Sequence, residues 1–271
     1  MTDEDCEDEL SPMHFIDRTD LWDTVKPYTL QFYPKEDFPR NNLQHSPCMT
    51  RINSMRSRVP AASLDVEGFA VHHLRSKMEY PEFMDKSKVE MVYCRELEDY
   101  FREMLGARHV RVLDYQASHS LRSAETENPG IPILRWKTPA QTAAESADTY
   151  RAWKPLRFPV CDWPLAVCDA KSIDQNDLVP TDVIYSSYIA ENYMVHFNTN
   201  QRWYWLPDHQ TDEILVFKAV DSKDSGSWPC AHGAFPLPGQ HQDVPSRESI
   251  DVRLLVMCAD MEYVASRSWS S

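Results

Sequence analysis

The chain has 271 residues, a formal charge of −14, 42% hydrophobic residues, six glycines and 19 prolines. That charge excludes nucleic acid as a partner, because phosphate binding needs a basic face, and no apolar run comes near the ~18 residues a membrane-spanning helix needs. The hydrophobic share excludes wholesale disorder, and so few glycines argue against glycine-rich phosphate loops.

Residues 1–10 (MTDEDCEDEL) hold six carboxylates and read as a solvated, frayed terminus. Residues 11–60 are polar, proline-dotted and aperiodic. They read as an extended arm wrapping the domain, anchored by Phe15, Trp22, Tyr28, Phe32 and Tyr33. A short strand and turn follow at Gly68 to Leu74. There the adjacent His72 and His73 point to opposite faces, so they cannot hold one metal together.

The clearest helix is over 87–106. Ser87 and Glu90 have capping-box spacing, Val89, Tyr93, Leu97, Phe101 and Leu105 recur at i, i+4, and Gly106 is a natural stop. Arg108 to Tyr115 alternates polar and apolar residues, as a half-buried strand does. Ile131 to Lys137 is a short strand and 140–152 a short helix. Further strands are expected around Pro164 to Asp169 and Tyr193 to Phe197. Asn198 to Gln201 makes a hairpin turn, with Arg202 to Leu206 as its return strand. Ile214 to Ala219 and Val252 to Met257 are the last core strands. Many short strands with one or two helices near the front give a mainly-β double sheet with helices on one side.

The seven cysteines are scattered, odd in number and free of CxxC pairs. With no apolar leader at the N-terminus, they imply reduced thiols and a cytoplasmic setting. GxSxG, HExxH, P-loop and dinucleotide motifs are all missing. What remains is the stretch Gln201 to Arg253, which reads strand, loop, His232, strand, then Arg247 and Arg253.

An ordered set of fragments carries a resemblance. It runs from Gly68-Phe69 and Leu105-Gly106-Ala107 through Trp153-Lys154-Pro155-Leu156, Pro164 to Asp169, Asp177 to Pro180 and Arg202-Trp203-Tyr204. It ends with Asp212 to Leu215, His232 with Ala234-Phe235, and Arg247 to Arg253. Over about 65–257 the chain resembles the family of gibberellin desaturases, aspergillic acid hydroxylase/desaturases and cephamycin methoxylation proteins, which are Fe(II)/2-oxoglutarate oxygenases or their relatives. The resemblance implies a double-stranded β-helix (jelly-roll) core with flanking α-helices. The expected layout is an acidic tail and arm over 1–60, the jelly-roll domain over 61–265 and a disordered tail over 266–271.

The family's iron is held by two histidines and a carboxylate, two of them as His-x-Asp shortly before a Thr-Pro step. Here that stretch reads Leu134-Arg135-Trp136-Lys137-Thr138-Pro139. Leucine and tryptophan offer iron no lone pair, which leaves His232 as the distal histidine and predicts no metal and no cofactor. Rescue by His72, His109, His119 or His196 would need another geometry. Arg247 and Arg253 stand at the positions of the family's cosubstrate arginine. Each is weighed against a structural ion pair with Glu248 or Asp251.

A pocket kept without its iron retains positioning, hydrogen-bond polarisation and acid–base chemistry. The expectation is a metal-independent cyclase of the hetero-Diels–Alder type in fungal secondary metabolism, acting on an apolar small molecule. His232, Arg247, Arg253 and Lys154 are the candidate catalytic groups. Trp136, Trp153, Trp203, Tyr204, Arg135 and Leu134 are the candidate lining. Alternation along a strand sets Trp203 and Trp205 on one face and Tyr204 on the other, so only one of these sets can face a pocket. The alternatives are an oxygenase with a relocated metal triad and a non-catalytic metabolite-binding protein. Exposed sheet edges would allow a homodimer.

Overall fold

The structure is a computed structural model that describes residues 8–34, 37–119, 132–135, 147–220, 229–239 and 244–257. The expected tails at 1–7 and 266–271 lie outside these residues, as does Trp136. Two sheets face each other. The larger has nine strands in the order β1-β3-β11-β8-β13-β6-β10-β9-β2. Its strands are β1 (Glu9–Ile16), β2 (Tyr28–Leu30), β3 (His45–Ser54), β6 (Ile133–Arg135), β8 (Leu165–Cys168), β9 (Leu178–Ile184), β10 (Ile189–Val195), β11 (Trp203–Trp205) and β13 (His232–Ala234). The smaller has five, in the order β4-β12-β7-β14-β5. These are β4 (Phe69–His73), β5 (His109–His119), β7 (Ala147–Pro155), β12 (Glu213–Val220) and β14 (Glu248–Met257).

Three expectations change. The arm is strand: β1 pairs antiparallel with β3 along its whole length, from Glu9↔Ile52 to Ile16↔His45, and β2 adds in parallel to β9. Its alternation was masked because Met13, Phe15 and Ile16 are all buried, so the strand is apolar on more than one face. The part of 140–152 that is described belongs to β7, a strand buried on both faces, which removes the period-2 signal. No hairpin joins 193–197 to 202–206, since β10 pairs with β6 and β9 while β11 pairs with β3 and β8.

The helical run is in three parts: Lys86–Lys88, a π turn at Val89–Tyr93, and α1 (Cys94–Leu105). Its cap is Asp85, whose carboxylate accepts from the backbone N–H groups of Ser87 and Lys88. Ser87 thus sits inside the first turn and is not the cap. The stop is as expected: Gly106 is left-handed at φ 59°, a conformation that favours glycine. Buried Leu97 and Phe101 press on the outer face of the five-stranded sheet with Ala152, Ile214, Val216, Ile250, Val252 and Leu254. Glu98 fixes the docking, because it accepts from Arg95 at 2.8 Å and from the Val112 backbone at 3.0 Å.

Between helix and sheet lies Lys154, 4% exposed. Its Nζ is 5.4 Å from the Phe83 ring centre and 5.5 Å from that of Tyr93. Burial pulls its pKa from 10.5 down to about 8. The folded pKa lies below the unfolded one, so folding at pH 7 must dehydrate an ammonium. That cost fades only as pH rises from about 8 towards 10.5. Lys154→Met is therefore expected to stabilise the protein at pH 7 by about 3 kcal/mol. Urea unfolding of both proteins at pH 7 and pH 9.5 checks this, and the gap should narrow at the higher pH.

Candidate functional site

The inner faces of the two sheets line a partly open cavity of about 360 Å³. From the nine-stranded sheet and its edge come Thr29, Gln31, Ile133, Leu165, Thr181, Val183, Tyr185, Asn192, Met194, His232, Gly233 and Ala234. Gln116, Arg151 and Asp251 come from the five-stranded sheet. Aliphatic and hydrogen-bonding side chains are interspersed around the wall, as with Thr181 and Val183 on β9 and Asn192 and Met194 on β10.

His232 is 8% exposed and its ring packs 4.7 Å from that of Phe217. Its Nδ1 is 3.2 Å from the Cys230 carbonyl. A carbonyl can only accept, so Nδ1 carries the hydrogen and Nε2 the lone pair. Gly68 sits behind this contact. At φ +86°, an added Cβ would lie 2.7 Å from the Cys230 sulfur, so glycine there leaves room for the residue that orients the imidazole.

Across the cavity Arg151 is ion-paired with Asp251. They are diagonal neighbours on β7 and β14, since Asp251 stands opposite Trp153 and Arg151 opposite Arg253. Neither was singled out from sequence as a lining residue. The signal was present as a polar residue flanked by apolar ones in Tyr-Arg-Ala and Ile-Asp-Val, but with 140–152 read as helix the two could not be set side by side. Asn192 was missed for a simpler reason, as one amide in a strand carries no pattern.

Of the residues named from sequence, the structure brings His232 to the cavity and moves most of the others. Arg247 donates to the Trp163 carbonyl and lies 5.4 Å over the Trp153 ring. Burial lowers its pKa to about 10, and it belongs to the packing at one end of the sheets. Arg253 pairs with Asp114, directly opposite it on β5. Lys154 is on the helix side of its strand, because alternation sends Arg151 and Trp153 inward and Lys154 outward. Trp153 packs on His209, with ring centres 5.2 Å apart. Trp203 is fully buried against Phe15, and Tyr204 leans on Phe69 and donates no wall. Neither aromatic set of β11 reaches the cavity.

Leu134 is paired in backbone with Tyr193, whereas Ile133 and Arg135 are opposite Met194 and Asn192. Ile133, not Leu134, thus holds the register position in line with the cavity-lining residues of β10. Trp136 lies outside the described residues. Among the histidines weighed as substitutes, His72 is bonded to the Tyr100 hydroxyl at 2.9 Å and His196 to the Ile16 carbonyl at 2.8 Å, both away from the cavity.

Among the described residues the donor set does not make up a two-histidine-one-carboxylate iron centre. Among the described lining residues the imidazole of His232 and the carboxylate of Asp251 are the groups of ligand type, and Asp251 is engaged with Arg151. Among the described residues no three His, Cys, Asp or Glu side chains are placed to hold one ion.

A family model described as an oxidoreductase/YMDC permease-like domain matches residues 13–144 and 137–257. The chain is 30% identical over 244 residues to the Fe(II)/2-oxoglutarate-dependent dioxygenase nvfI of Aspergillus novofumigatus, covering 82% of this chain and 88% of that one. It belongs to the family of fungal Fe(II)/2-oxoglutarate-dependent oxygenase-like hydroxylases and desaturases. Another relative in the family is the aspirochlorine biosynthesis protein N of Aspergillus oryzae, 41% identical over 120 residues; the match spans 43% of this chain and 50% of the relative. A solved variant of the iron and alpha-ketoglutarate-dependent endoperoxidase NvfI superposes with a TM-score of 0.81 at 25% identity, covering 93% of this chain and 97% of that one. The fold of this family member is the jelly roll, and its relatives are enzymes of fungal secondary metabolism. No helix among the described residues is long and apolar enough to cross a membrane.

Proposed function

We propose that this chain is a metal-independent cyclase of the hetero-Diels–Alder type, using the oxygenase-like cavity to hold an apolar polyketide or terpenoid substrate. The observation that carries the reading is the cavity's donor set among the described residues: one imidazole, with the carboxylate of Asp251 across from it held in an ion pair. Such a set does proton transfer and hydrogen bonding. With Nδ1–H held by the Cys230 carbonyl, Nε2 of His232 takes the proton of a substrate phenol. The benzylic C–O bond of the same substrate then breaks, and that proton leaves with the hydroxyl as water. The resulting quinone methide adds across an alkene held beside it, with no atom gained or lost in that step. The walls position the two reacting ends, which is worth several kcal/mol when the geometry is productive.

The relatives' chemistry supports a second reading, an Fe(II)/2-oxoglutarate oxygenase with a relocated ligand set. One experiment separates the two. An ortho-hydroxybenzyl alcohol and a terpene alkene are incubated with the protein under anaerobic conditions, with EDTA and without 2-oxoglutarate. The cyclase forms a single stereoisomer of the adduct faster than buffer does. Stoichiometric iron together with 2-oxoglutarate-dependent succinate release establishes the oxygenase instead.

A further inference from the structure

Asn192 is 6% exposed and lines the cavity, yet its side-chain Oδ1 has no hydrogen-bond partner. Two described polar groups of the same wall make their hydrogen bonds to other atoms. Thr181, directly opposite on β9, donates its hydroxyl to the Val179 carbonyl at 3.1 Å, and Arg151 donates to Asp251. A buried acceptor without a donor is costly, and its retention calls for an explanation. A leucine of similar size would fill the same place without that cost.

The position in the wall says what the amide can read. Asn192 is two strands from His232 along the row β13, β6, β10 and one two-residue step further on, so their Cα atoms are roughly 12 Å apart. One substrate group cannot serve both. Asn192 faces a part of the ligand remote from the proton that His232 takes.

We infer that Asn192 is a specificity-determining residue, its Oδ1 accepting a hydrogen bond from a ligand hydroxyl, and that the ligand is an otherwise apolar ring system hydroxylated at the end far from His232. The inference rests on the cavity being the substrate site, and it is independent of which reaction follows.

Two probes differ only in the donor: 2-naphthol and 2-methoxynaphthalene. Calorimetry on the wild-type protein is expected to show 2-naphthol binding about tenfold tighter. In Asn192→Leu that preference should vanish, while the unliganded variant melts about 2–6 °C higher than wild type because the orphaned acceptor is gone. Asn192→Ala repeats the binding test if leucine overfills the cavity. A preference that survives both substitutions overturns the inference. So does equal affinity of the wild type for the two probes, or failure to bind either. A lower melting temperature in both variants also overturns it, since the amide would then be structural. Failure of the anaerobic cyclisation leaves these binding ratios untouched, so the two readings fail separately.

Discussion

His232→Phe is expected to lower kcat by about 10²- to 10⁴-fold, the usual contribution of a positioned proton acceptor, with KM little changed. Phenylalanine keeps the flat ring that packs on Phe217, and the strand still pairs with Val167 and Ile133, so the fold has no reason to fail. What is lost is the Nε2 lone pair. The pH–rate profile distinguishes a proton acceptor from a residue that only shapes the wall. The acidic limb of the wild-type profile should be lost in the variant if His232 accepts a proton, and should be unchanged if it only shapes the wall. An unchanged kcat would remove His232 from the chemistry and leave the cavity to act by positioning alone.

Asp251→Ala should cost roughly 3 kcal/mol of stability, at the lower end of what breaking a buried pair costs. The side chains of Arg151 and Asp251 are 10% and 25% exposed. Removing the carboxylate strands a guanidinium between two sheets, beside Arg253 on the neighbouring strand. The melting temperature is expected to fall by about 6–10 °C. Arg151→Met combined with Asp251→Leu should recover most of the loss, because an apolar pair of similar volume replaces the ions without leaving a lone charge. If both changes are made and stability stays low, the pair has a role beyond charge compensation. If Asp251→Ala alone is neutral, the pair is open to solvent and the cavity is wetter than its lining suggests.

The helix shows what periodicity can do. Val89, Tyr93, Leu97 and Phe101 recur on one face, and that face is buried. The cap moved by two residues, from Ser87 to Asp85, because both side chains have the chemistry and only the chain's entry path decides between them. The strands expected at Arg108 to Tyr115, Ile214 to Ala219 and Val252 to Met257 fall on β5, β12 and β14, the first of them read from its alternation. Where a strand is buried on both faces, as in β7, the alternation disappears and the strand was read as helix. The hairpin drawn from Tyr193 to Leu206 failed because adjacency along the chain stood in for adjacency in space, and in this topology β8, β13 and β6 lie between β11 and β10.

The site divides in the same way. His232 could be named from sequence because the ordered fragments around it place it, and the structure puts it in the cavity wall. Arg247, Arg253, Lys154, Trp153, Trp203 and Tyr204 could be named as chemically capable residues, but capability does not say which face a side chain takes. A shift of one position in a strand turns a lining residue into a packing residue. That is the difference between Lys154, on the helix side of β7, and Arg151, on its cavity side.

By itself, then, the amino-acid sequence determined the mainly-β class, the amphipathic helix with its glycine stop, His232 as a candidate and the lack of a His-x-Asp step before Thr138-Pro139. These depend on residue type and local spacing. Only the tertiary structure decided that Arg151 meets Asp251, that Asn192 stands without a partner, and that the aromatic residues of β11 turn away. Each of those is a question of strand register and of which strands become neighbours. Contacts between residues about 100 positions apart, such as Arg151 and Asp251, leave no periodic trace in the chain.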